Sequence, residues 1–200
     1  ANPRGSASSI ERVRVRHDRQ CPRSDQEHRD NVQGLRIRTE TAADVTAIAD
    51  VTVAAFRGEP FSSHTEQHIV RGLRAAGALA ISLVAERHGS VIGHIACSPV
   101  SISDGSPNWF GLGPVSVAPE HQGQGVGSAL VHEGLSRLKS LGAQGCCLVG
   151  HPEYYRRFGF RHMPGLVYED VPSEFFLALP LGARIPQGHV TYHAAFNVEN

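Results

Sequence analysis

The stretch Leu112-Gly-Pro-Val-Ser-Val-Ala-Pro-Glu-His-Gln122-Gly-Gln-Gly125-Val-Gly127-Ser128 constrains this chain more than any other. An apolar run, 110–118, is stopped by Pro119. An amphipathic helix is expected from about 125 to 141, with Val126, Leu130, Val131, Leu138 and Leu141 on its apolar side. Glycines 123, 125 and 127 sit where the strand gives way to the helix. Backbone N–H groups that lack an intrahelical acceptor converge there, with no side chain in the way. Such a turn suits an anion, because amide hydrogen bonds and the positive end of the helix dipole act together. A nucleotide-hydrolysing P-loop would need Lys after the glycines, and none follows. A dinucleotide fingerprint would need a third Gly where Ser128 stands and an acidic residue further on, and both are missing. The glycines alone also allow a plain strand-to-helix turn with no ligand.

Regular punctuation surrounds that turn. Leu35-Arg36-Ile37-Arg38 alternates as a strand does, and Thr41 followed by Asp44 resembles the start of a helix with apolar positions Val45, Ile48, Ala49, Val53 and Phe56. Gly58 and Pro60 break the pattern, after which His68, Ile69, Leu73 and Ala76 predict a second helix ending at Gly77. The runs 79–86 and 91–100 flank His88-Gly89-Ser90 and predict a β-hairpin. Further strands are expected at 145–149, 175–179 and 190–196, with a short Tyr/Arg/Phe helix at 152–158. The order β-α-α-β-β-β-α-β-α-β-β is that of an α/β fold with a mostly antiparallel start. Residues 1–34 hold few apolar residues and no sustained period, so a disordered tail is expected there, with the folded domain at 35–200.

Composition limits what such a domain can serve. The 19 Lys+Arg balance 19 Asp+Glu, so neither nucleic acid nor an anionic membrane is expected as a partner. No apolar run reaches the roughly 18–20 residues of a membrane span. No leader is legible at the N-terminus, and a soluble cytoplasmic protein is expected. Cys21, Cys97, Cys146 and Cys147 are too few and too unevenly spaced for a disulfide framework, and Cys146 and Cys147 would point to opposite faces of a strand. His64-Thr-Glu66-Gln-His68 would set two imidazoles on one helical face, but a zinc-protease helix needs Glu directly after the first His. No metal is expected.

Two motifs in order then point to a family. Val115-x-Val117-x-Pro119-x-x-Gln122-x-x-Gly125-x-Gly127 resembles the acyl-CoA signature of the GNAT superfamily of N-acetyltransferases. Tyr155-Arg-Arg-Phe158-Gly159-Phe160 resembles its second hallmark. The layout from Leu35 to Phe196 is similar to the YhbS-like subgroup, including Gly150-His-Pro152 before the double Tyr and the closing His189-Val-Thr-Tyr-His-Ala-Ala-Phe196. The resemblance implies a mixed α/β sheet, antiparallel in its first half, with splayed fourth and fifth strands and flanking helices. It implies acetyl-CoA as co-substrate and a primary amine, on a small molecule or a protein, as acceptor in a monomer or homodimer. The backbone of Val115, Ser116 and Val117 would pair with the pantetheine arm, and the Val115 N–H would polarise the thioester carbonyl. Gln122, Gly123, Gln124, Gly125, Val126, Gly127 and Ser128 would form the pyrophosphate site. Tyr155 would donate to the departing sulfur while the amine attacks directly in a ternary complex.

Two family features are missing. Gly150-His151-Pro152 stands where many members carry an Asn, and 110–118 has no carboxylate to serve as base. Water, Glu59, His64 and Glu66 are left as candidates, the three side chains being expected as solvated surface groups. Arg156 and Arg157 either meet the 3′-phosphate of CoA or form the outer side of their short helix. A module that binds CoA without turnover is the competing expectation.

Overall fold

The computed structural model describes residues 34–58, 64–169 and 171–197. The expected tail up to residue 33, Cys21 and Glu59 lie outside the described residues. The elements in order are β1 (Leu35–Thr39), α1 (Val45–Phe56), α2 (Glu66–Ala75), β2 (Ile81–Arg87), β3 (Ser90–Ile102), β4 (Trp109–Val117), α3 (Val126–Ser140), β5 (Gly145–Val149), α4 (Pro152–Tyr155), β6 (Leu166–Val167), β7 (Phe176–Pro180) and β8 (Gly188–Thr191). They follow the expected order, with β6 an addition of two residues.

The strands lie in the order β1-β2-β3-β4-β5-β7, and β8 joins the far end of β3 while pairing with β6. From β1 to β4 all neighbours are antiparallel. β2 and β3 are closed by a two-residue turn at His88 and Gly89, both at positive φ (51° and 80°), which is the type I′ geometry that matches strand twist. β4 and β5 are parallel, and they pair only between Trp109–Gly111 and Gly145–Cys147. Beyond Gly111 the two strands part. The cause lies in β4, where Ile95 faces Val115 but Cys97 faces Leu112, so β4 spends one residue more than β3 at Gly113-Pro114. Pro114 also has no N–H to offer a neighbour. A wedge thus opens between the second half of β4 and Leu148–Val149 of β5, which pair on their other side with β7.

One face of the sheet is covered by α3, whose Val126, Leu130, Val131 and Leu138 are buried against Leu83, Ile95 and neighbours. α1 and α2 cover the other face through Ile48, Val70 and Val84. Cys146 belongs to the core under α3 and Cys147 to a second core with Trp109 and Phe176 on the opposite face, as strand alternation requires.

Several helical stripes differ from expectation. Leu141 is the exposed C-terminal cap residue of α3 rather than part of its apolar side. The buried side of α1 is Ile48, Val51 and Thr52, and Val45 and Val53 are exposed. α2 buries Glu66, Val70 and Leu73, leaving His68 outside. In both helices a polar residue joins the inner face, which shifts the apparent apolar stripe. The last expected strand stops at Thr191, and a 3-10 turn, Ala194–Phe196, follows it.

Candidate functional site

The turn after β4 is built by three glycines with two separate tasks. Gly123 and Gly125 sit at φ +71° and +82°, where a side chain would be strained. Gly127 has ordinary φ but a close neighbour, since a Cβ there would lie 2.8 Å from the Tyr154 hydroxyl. The first helical N–H to bond inward is that of Ala129, to Gly125 O at 2.9 Å. The N–H groups of Val126, Gly127 and Ser128 precede that ladder and have no helical acceptor.

Both glutamines of the turn are tied down. Gln122 Nε2 donates to Val117 O at 3.1 Å, and Gln124 Nε2 donates to Glu120 O at 2.8 Å. Arg87 Nη1, from the end of β2, donates to Gln124 Oε1 at 2.9 Å. The side chains therefore hold the loop's shape, and its backbone is left to meet a ligand. An N-terminal helix turn lined with fixed amides fits a phosphate group.

Val115 and Val117 of β4 and Tyr154 and Tyr155 of α4 all pack against the α3-side core. Ser116 points to the other face and donates to Thr52 Oγ1 at 3.2 Å. Tyr155 lies over Gly150, where a Cβ would strike its ring, and its ring meets those of Tyr154 and Phe160. Its hydroxyl has no hydrogen-bond partner among the described residues. Burial, with Tyr154 and Cys146 adding to it, pushes this phenol well above its ordinary value. Tyr155 is therefore protonated at neutral pH. The contacts thus tie Gly127 of the turn to Val117 of β4 and to Tyr154, whose ring meets that of Tyr155. Arg157 stacks on the Tyr154 ring (4.8 Å) and donates to Tyr154 O at 3.0 Å.

On the face under α1 and α2 lies a polar group that sequence reasoning missed. Arg74 donates twice to the Glu40 carboxylate (2.8 and 2.7 Å), and Ser82 Oγ also donates to it. Burial alone would raise the pKa of Glu40, but the Arg74 and Ser82 hydrogen bonds outweigh it and the net direction is down. With its only proton on Glu40, Ser82 must accept from His94 Nε2 at 2.8 Å. His94 is therefore the Nε2–H tautomer, with a bare Nδ1 that is buried and has no partner among the described residues. Burial, helped by Arg74, lowers its pKa to about 4, so it is neutral at pH 7. Only the polar positions of β2 and β3 hinted at this group, since Glu40 and Arg74 are far away in the chain.

The base candidates fare differently. Glu66 is buried at the start of α2, not solvated as expected. His64 is exposed at φ +58°, ahead of the helix, so it does not share a helical face with His68.

Residues 36–163 match the acetyltransferase (GNAT) domain family. The chain is 37% identical over 127 residues to the uncharacterized N-acetyltransferase YhbS of Escherichia coli K12, covering 63% of this chain and 73% of that protein. A GNAT family acetyltransferase from Brucella melitensis, solved in complex with acetyl-CoA, shares 49% identity and a TM-score of 0.73, covering 81% of this chain and 97% of that one. The crystal structure of E. coli YhbS in complex with CoA gives 32% identity and a TM-score of 0.75, covering 83% and 93%.

Proposed function

Because the chain belongs to the GNAT family of acetyltransferases, we propose that it moves an acetyl group from acetyl-CoA to a primary amine, by direct attack in a ternary complex within one domain at 35–200. The observation that carries this reading is the wedge. The reading is supported by a strand whose second half does not pair with β5, a helix N-terminus whose first amides precede the helical ladder and a phenol at Tyr155 that stays protonated. In this reading the backbone of Val115, Ser116 and Val117 receives the pantetheine arm as an added strand would, and the amides from Gly123 to Ser128 receive the pyrophosphate. The Val115 N–H then polarises the thioester carbonyl.

The amine's lone pair attacks the carbonyl carbon, the C–S bond breaks, and sulfur leaves with the electron pair. Tyr155 donates to that sulfur. An ordinary phenol, at about 10, is already a weaker acid than a thiol at about 8.5, and burial weakens Tyr155 further. Its help is therefore a hydrogen bond to the leaving thiolate more than a completed transfer. The attacking nitrogen loses its proton to water, because no carboxylate lies on β4. No described helix is long and apolar enough to cross a membrane.

Thermal melts with acetyl-CoA, NAD and ATP test the co-substrate. Acetyl-CoA should raise the melting temperature, since a hundredfold excess over Kd stabilises by about 2.7 kcal/mol. NAD and ATP should not. Release of free thiol with an amine library then tests transfer. A shift with NAD alone would overturn the reading.

A further inference from the structure

The turn from Pro119 to Ser128 has a charge problem. Its one formally charged residue is Glu120, which is negative, and it contains no Lys or Arg. Amides and a helix dipole offer about half a positive charge to a pyrophosphate. Gln122 brings no charge either, and its carboxamide turns inward to Val117 O. The nearest cation tied to the turn comes from elsewhere in the chain. Arg87 ends β2, one residue before the type I′ turn, and a register shift between Ala85 and Glu86 precedes it. Its Nη1 donates to Gln124 Oε1 at 2.9 Å, and the same carboxamide donates to Glu120 O. Gln124 sits between the two left-handed glycines, so a hold on its side chain is a hold on the orientation of the amides on either side.

Resting on the acetyl-CoA reading above, we propose that Arg87 is a positioning residue of the pyrophosphate site: through Gln124 it fixes the glycine turn, and it gives that turn the full positive charge its own residues lack. The β2–β3 hairpin thereby becomes part of the co-substrate site. A rigid hairpin suits the role, because a cation held beforehand loses little side-chain entropy when the anion arrives.

The test compares CoA with S-acetylpantetheine, a thioester that lacks the phosphates. Arg87→Gln keeps a donor for Gln124 but removes the charge. Its CoA affinity, read by calorimetry, should fall about tenfold, with a flatter dependence on ionic strength. KM for acetyl-CoA should rise alike while kcat at saturation stays constant, and kcat/KM for S-acetylpantetheine should not change. Arg87→Lys should recover most of the loss. Should Arg87→Gln fail to fold, Arg87→Met decides, since it removes the charge and leaves the Gln124 Nε2 bond to Glu120 O in place. Wild-type CoA affinity and salt dependence in the neutralised variant would overturn the inference. An equal loss with S-acetylpantetheine would overturn it too, because the effect would then be general disorder. A wild-type protein that does not bind CoA would instead sink the reading of function on which this rests.

Discussion

The two faces of the central sheet are both buried, yet they are held by different forces. Under α3 the inner side chains are apolar almost throughout, with Leu83, Ile95, Leu130 and Leu138 essentially without solvent contact. Under α1 and α2 the same strands present Ser82, His94, Ser98 and Ser116, all buried as well. Their polar atoms are matched by Glu40, Arg74 and Thr52, apart from His94 Nδ1 and Ser98 Oγ. The α3 face is therefore stabilised by packing that any shape-conserving substitution can approximate. The opposite face depends on hydrogen bonds with one correct set of partners, and losing one partner leaves another stranded. Apolar packing carries the glycine turn at the start of α3, while the polar face lies under α1 and α2.

The sharpest way to break this contrast is a cavity on the apolar side. Leu130 is fully buried, and one of its methyl carbons lies 3.1 Å from where a Cβ on Gly93 would be. Leu130→Ala should cost about 2–5 kcal/mol of unfolding free energy in denaturant titration, with little dependence on pH. A cost under 1 kcal/mol would mean that α3 packs loosely and that the two faces differ less than their residues suggest.

Acid should reveal the polar side. His94 has a folded pKa of about 4 against an ordinary 6.5, so between those values the unfolded chain binds a proton that the folded one refuses. Its contribution is fully present above about pH 6.5 and is lost as pH falls toward 4, a change of about 3 kcal/mol over the window. His94→Gln can still donate to Ser82 but does not titrate, and should flatten that slope. The Glu40 pKa is lowered, so its own contribution is present above the ordinary carboxylate range and is lost at more acid pH. An unchanged slope in His94→Gln would assign the acid sensitivity elsewhere.

The same contrast explains what could be read in advance. The order of strands and helices, the hairpin and the glycine turn follow from local rules: alternation, a stop at Pro119, glycines that need positive φ. The splay of β4 from β5 came through family resemblance, because one extra residue at Gly113-Pro114 has no meaning until β3 is laid beside it. The polar face was legible only as scattered polar positions, for a physical reason. Alternating Ser82, His94 and Ser98 look like the wet side of a strand, and only the arrival of Glu40 and Arg74 over long chain separations makes them interior. Likewise Glu66 and Thr52 disguised which side of their helices faces in. Arg87 gave no signal either, since a cation beside a hairpin turn is ordinarily solvated.

The smallest expected effect concerns Tyr155, which packs against the α3-side core. Tyr155→Phe keeps the ring that packs over Gly150 and against Phe160, so folding and CoA affinity should hold. Only the hydroxyl is lost. If that hydroxyl stabilises the leaving thiolate, kcat should fall by roughly 10- to 100-fold, with KM for acetyl-CoA unchanged, the pattern for an interaction made in the transition state alone. The low end is favoured by chemistry, because a thiolate is a good leaving group and a buried phenol is a poor acid that would serve by hydrogen bonding. An acyl donor with a worse leaving group makes the argument stricter. An oxygen-ester analogue of acetyl-CoA leaves as a much more basic alkoxide, so it should lose more on the same substitution than the thioester does. Equal losses with both donors would show that Tyr155 does not act on the leaving atom. Wild-type turnover in Tyr155→Phe would make it a packing residue of the wedge, with water protonating the sulfur.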